Sequence, residues 1–77
     1  VLRMEHLDRM VADLVRLAMS SAGLTQVELA RLSDIPPGTL ADRLDSRGSF
    51  DLHELVRLAA ALGCRVTDLV PESGASE

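Results

Sequence analysis

The sequence predicts an all-α protein, a compact bundle of five short helices, and three features of it point that way. The chain holds one phenylalanine and no tryptophan or tyrosine, which leaves the core to Leu, Val, Ala and Met, a set that favours packed helices over sheets. Apolar residues recur at helical spacing in two long stretches: Leu7, Val11, Leu14 and Ala18, then Leu52, Leu55, Val56, Leu58, Ala59 and Leu62. Thr25-x-x-Glu28 and Asp51-x-x-Glu54 both have the form of a capping box, where the first side chain accepts from the N–H three residues on and the glutamate reaches back.

In chain order, a long amphipathic helix comes first. Met10 and Leu17 broaden its apolar stripe, Asp8, Arg9, Asp13 and Arg16 fall on a solvated face, and Gly23 marks its end. A second helix starts at Thr25 with Val27, Leu29, Ala30 and Leu32 as its apolar members. Ser33, Asp34 and Ile35 interrupt it. Pro36-Pro37 cannot continue a helix but can open one, because the first turn needs no N–H donors, so a third helix starts near Pro37 and carries Leu40 and Leu44. Asp45-Ser46-Arg47-Gly48-Ser49 is dense in turn formers and reads as a loop, with Phe50 anchoring it in the core. The fourth helix runs from its Asp51 cap to Gly63. Thr67 can cap a last short helix, Asp68 to Val70, ended by Pro71. Residues 1–71 thus form one domain, and the ESGASE stretch at 72–77 is a flexible polar tail.

Composition bounds the function. A chain of 77 residues, 47% hydrophobic, supports one core with a thin margin of stability. Cys64 is alone, which argues against a disulfide framework or a Cys-rich metal site and for a reducing compartment, the cytoplasm. There is no apolar run near the roughly 18 residues that span a bilayer and no signal-like N-terminus. His6 and His53 read as solvent-facing, without the partners a metal needs, and no pair of His, Cys, Asp or Glu is spaced to act together, so neither an enzyme nor a cofactor is expected.

The net charge of −4 is the wrong sign for a protein held to DNA by electrostatics alone. The excess is uneven: residues 66–77 carry three acids and no base, whereas residues 36–65 balance four Arg with four acids. All eight basic residues are Arg, which suits bidentate phosphate contacts and equally fits a GC-rich genome.

From Leu24 to Leu44 the chain reads LTQVELARLSDIPPGTLADRL. This resembles the helix-turn-helix of Cro/CI-type (XRE family) transcriptional regulators, in which LTQ-x-x-LA is followed by a turn and a recognition helix. The following TLADRLDSRGSFDLHELVRLAAALG is similar to the DNA-binding domains of actinobacterial phage immunity repressors, and the likeness covers roughly Ala18 to Val70. It implies a lambda-repressor-like fold and a sequence-specific regulator, of repressor or Cro-like type, whose partner is an operator in double-stranded DNA.

The resemblance also assigns roles by position. Gln26 falls where relatives bond a DNA phosphate, and Ala30 where a small residue lets the two helices of the motif approach. Asp34 takes the place of a usual Gly, where the backbone needs positive φ. Ser33 replaces a common Leu and Arg43 a common apolar residue, with Leu32 and Leu44 expected to fill the space. The exposed start of the recognition helix, where relatives carry base readers, is here Pro36, Pro37, Gly38 and Thr39. Thr39 can touch a thymine methyl or a phosphate, and Gly38 can allow close backbone approach. Asp42, one turn on, repels phosphate but can accept from a cytosine amino group. Arg43 and Arg47 are the candidate phosphate clamps, ion pairs to Asp42, Asp45 or Asp51 being the alternative, and Ser46 belongs to a loop that relatives lay along phosphates. The C-terminal helices of such proteins often pair two copies, and Val66, Leu69 and Val70 offer an apolar surface for a homodimer. The sparse donor set leaves a second reading: a protein-interaction module, antitoxin-like or antirepressor, that keeps the fold with weakened readout.

Overall fold

The computed structural model describes residues 4–71; the tail expected at 72–77 lies outside them. Four α-helices, α1 (Met4–Ala22), α2 (Gln26–Ser33), α3 (Pro37–Leu44) and α4 (Leu52–Leu62), are followed by a 3-10 helix over Val66–Leu69, with no strand among the described residues. The fifth element is therefore a single tight turn, not an α-helix from Asp68. Its start is held by the Asp68 carboxylate, which accepts from the Arg65 N–H at 3.1 Å, and not by Thr67 as the sequence suggested.

Both capping boxes form. The Glu28 N–H donates to Thr25 Oγ1 at 3.1 Å and the Thr25 N–H to Glu28 Oε1 at 2.8 Å; Asp51 and Glu54 repeat the pattern at 2.7 and 3.1 Å. The C-termini share a second device. Gly23, Asp34, Ser46 and Gly63, at φ 70, 59, 63 and 72°, turn the chain left-handed just past the four α-helices. In each case the next residue's N–H bonds back into the last turn: Leu24 to Met19, Ile35 to Ala30, Arg47 to Asp42 and Cys64 to Ala59. The expected positive φ at Asp34 is thus present. Ser46 needs the same conformation, which the sequence did not reveal.

Val15, Leu29, Leu40, Leu58 and Leu69 are fully buried at the centre of the core. Ala30 is buried in the core cluster, and Phe50 packs half-buried against it. The apolar faces differ from the sequence reading in detail. On α1 the buried residues are Val11, Ala12, Val15 and Met19, while Met10 and Leu17 are exposed and Leu7, Leu14 and Ala18 only half-buried. Apolar residues occur around most of this helix, so periodicity alone did not select the side that packs. On α4, Leu55, Leu58 and Ala59 are buried but Leu52 and Val56 face outward.

The α2 correction concerns the motif itself. Val27 is exposed, Leu32 is 56% exposed and fills no space in the core, and Ser33 is itself buried at 3%. The Ser33 hydroxyl donates to the Leu29 carbonyl at 2.6 Å, so its polarity is satisfied within the helix. Leu44, by contrast, is buried as anticipated. Leu69 belongs to the core as well, which removes the central member of the apolar surface expected for pairing.

Candidate nucleic-acid interface

The placement of α3 follows from three local facts. Pro36 is extended at φ −55° and ψ 136°, Pro37 opens α3 where no N–H donor is required, and Leu40 and Leu44 fix which side faces the core. With about 100° between successive residues, Asp42 points directly away from the Leu40–Leu44 side. Gly38, one turn earlier, shares that outer face; Thr39 and Arg43 flank it on one side, Pro37 and Ala41 on the other. Pro37, Gly38 and Asp42 are exposed and Thr39 is half-buried. Gln26 stands apart from this group, half-buried as the first residue of α2, at the helix's positive end.

The two arginines nominated as clamps separate. Arg43 Nε donates to Glu54 Oε1 at 3.3 Å, so α3 is tied to α4 through a carboxylate that is none of the three weighed from sequence. Gly48 is the reason the guanidinium can lie there: a Cβ on it would come within 2.7 Å of Arg43 Nη1. Arg47 is exposed and makes no ion pair among the described residues. It follows Ser46, whose half-buried left-handed turn carries the chain off α3.

Three supports of this site were not legible in sequence. Arg16 of α1 donates from Nη2 to the Leu44 carbonyl and to Asp45 Oδ1, both at 3.3 Å, closing the end of α3. Ser49 Oγ donates to Asp8 Oδ1 at 2.7 Å, fastening the loop to α1. Arg57 Nη1 donates to the Asp34 carbonyl at 3.4 Å, bracing the turn from α4. The partners lie 29, 41 and 23 residues apart, beyond any local pattern.

Electrostatically, the outer end of α3 is short of positive charge. Arg16 and Arg43 are engaged in ion pairs, whereas the Asp42 carboxylate has no partner among the described residues. Among the described residues no group of His, Cys, Asp or Glu could hold a metal ion, and no helix is long and apolar enough to cross a membrane. Burial, with Asp68 adding to it, pushes the Cys64 thiol above its ordinary pKa, so the reactive thiolate is disfavoured.

Two short helices joined by a tight left-handed turn, the second turned outward, define the helix-turn-helix class of regulators. A model described as helix-turn-helix matches residues 15–69, and the chain belongs to that family, of XRE type. Among solved structures it is similar to the clp gene regulator ClgR from C. glutamicum, with 28% identity, a TM-score of 0.76 and 82% of each chain covered. No curated protein matches the sequence.

Proposed function

We propose that this chain is a sequence-specific transcription regulator of repressor type, from a phage or prophage, that inserts α3 into the major groove of double-stranded DNA. The observation that carries the reading is the outward face of α3, presented by a helix whose last turn is braced from α1 and α4. The likeness to a gene regulator over 82% of both chains supports a regulatory role. A gel shift with the promoter region of its own gene, at low salt and then across a salt series, tests it. Binding that weakens with salt is expected, and no binding at any salt overturns the reading. The regulator works in the cytoplasm, as a dimer whose half-sites lie about 10 base pairs apart. With Leu69 in the core, the pairing surface rests on half-buried Val66 and Val70. Sedimentation of the free and DNA-bound protein reads its stoichiometry.

One observation favours a second reading, the interaction module. Asp42 stands at the centre of the outer face of α3 with no free cation beside it on that helix, a poor arrangement for phosphates. Co-purification with a protein partner, together with indifference to DNA, would select it over the first.

A further inference from the structure

Gly38 has no internal reason to be a glycine. Its φ is not in the left-handed region, and a Cβ placed on it would meet nothing within 4 Å. As the second residue of α3, glycine is still less favourable than alanine, by less than the about 1 kcal/mol it costs in a helix interior. A residue that weakens the fold and relieves no crowding within it leaves space for something outside. Gly38 lies one turn before Asp42, on the same outward face of α3.

Asp42 sets the complementary condition. Its side chain is exposed and unpartnered among the described residues, and it is the outermost polar group of the helix. An ionised carboxylate only accepts hydrogen bonds. In the major groove guanine offers acceptors alone at N7 and O6, and thymine offers O4 with a methyl group. Adenine's amino donor has acceptors on both sides, its own N7 and the O4 of the paired thymine, which repel the second carboxylate oxygen; cytosine's N4 amino group has one on a single side, O6 of the paired guanine, with the C5–H edge on the other. Aspartate is also short, so it reaches a base edge only when the helix backbone comes closer than an arginine or glutamine reader requires. The bare surface at Gly38 permits that approach.

We infer that Gly38 and Asp42 act as one reading surface: the missing side chain seats the first turn of α3 deep in the major groove, and Asp42 then accepts from the N4 amino group of a cytosine. This rests on the proposed DNA-binding reading and adds a base identity to it. The same carboxylate repels phosphates, so it lowers binding to all other sequences and sharpens discrimination.

The test is selection of sites from a random duplex library by the full chain, followed by affinities for single-base variants of the selected site. Thermal melts of Asp42→Asn and Gly38→Ala accompany it. The wild type should require C·G at one position per copy, with about tenfold loss on substitution. Asp42→Asn, whose side chain both donates and accepts, should move that preference to adenine and bind unrelated DNA more tightly. Gly38→Ala should melt higher than wild type yet bind the selected site about tenfold more weakly. A selected site whose preferences survive Asp42→Asn, or a Gly38→Ala protein that binds as well as wild type, overturns the inference and leaves the DNA-binding reading standing. Failure of the wild type to bind any duplex removes both.

Discussion

Arg43 Nε and Glu54 Oε1 lie 3.3 Å apart, and the same glutamate oxygen accepts from the Asp51 N–H at 3.1 Å. One carboxylate therefore joins α3, the loop and the cap of α4. The pair is largely screened from water, with side chains 28% and 16% exposed, so it contributes more than a surface ion pair. Arg43→Ala should cost about 1–2 kcal/mol, because it leaves a partly buried carboxylate without its cation. For a domain of this size that lowers the melting temperature by about 4–8 °C per kcal/mol, measurable by circular dichroism. Gly48→Ala should disturb the same pair by pushing on Arg43 Nη1. Its cost should shrink by about 0.5 kcal/mol or more when Arg43 is already Ala; full additivity would mean the two residues do not communicate.

Asp34 and Ser46 hold conformations that glycine adopts more readily, and the other two α-helices use Gly23 and Gly63 at the same place. Asp34 adds a negative charge at the negative end of α2. Asp34→Gly should thus stabilise the fold by about 0.5–1 kcal/mol despite the greater freedom of glycine in the unfolded chain. Thermal or urea melts read this directly. A lower melting temperature would show that the aspartate side chain supports the turn.

Most of what could be read from the sequence is decided within one helical turn, though the left-handed Ser46 and the Asp68 cap on Arg65, equally local, were not legible. Thr25 with Glu28, Asp51 with Glu54 and Pro37 at a helix start each depend on neighbours a few residues away, whereas the left-handed turn at Asp34 was implied by the family resemblance. Which flank of α1 or α2 would pack was a different matter, since both Leu32 and Ser33 fit a helix and only the placement of neighbouring helices decides between them. Ser33 could go inside because the Leu29 carbonyl satisfied its hydroxyl. The outer face of α3 was legible once Leu40 and Leu44 were assigned to the core. Its braces, Arg16 to Asp45 and Arg57 to the Asp34 carbonyl, were not.

Glu28 carries the acid sensitivity of the first capping box. The Thr25 backbone N–H, then the Thr25 hydroxyl, hold its carboxyl below the ordinary value of 4.5. A carboxyl with a lower pKa in the folded than in the unfolded chain stabilises fully above the unfolded value, and that contribution disappears as pH falls through the folded one. Glu28→Gln keeps an acceptor facing the Thr25 N–H but does not titrate. Its melting temperature should therefore fall less steeply than that of the wild type as pH is lowered from 4.5. Parallel acid limbs for the two proteins would assign the acid sensitivity to other groups.

Arg47 should behave as the mirror image of Arg43. It is exposed, free of ion pairs among the described residues, and placed just beyond the C-terminal end of α3. Its exposed side chain makes no ion pair among the described residues, so Arg47→Ala should leave the melting temperature within about 0.5 kcal/mol equivalent of wild type. On DNA the effect should reverse. Loss of one phosphate contact should reduce the slope of log K against log salt by about 0.9 and weaken binding to specific and unrelated duplexes alike. Arg43→Ala, measured in parallel below its own melting transition, should leave the salt slope near wild type, because its guanidinium already neutralises Glu54. If the salt slope instead drops for Arg43→Ala and not for Arg47→Ala, the Arg43–Glu54 pair opens on the DNA and the phosphate contact belongs to Arg43.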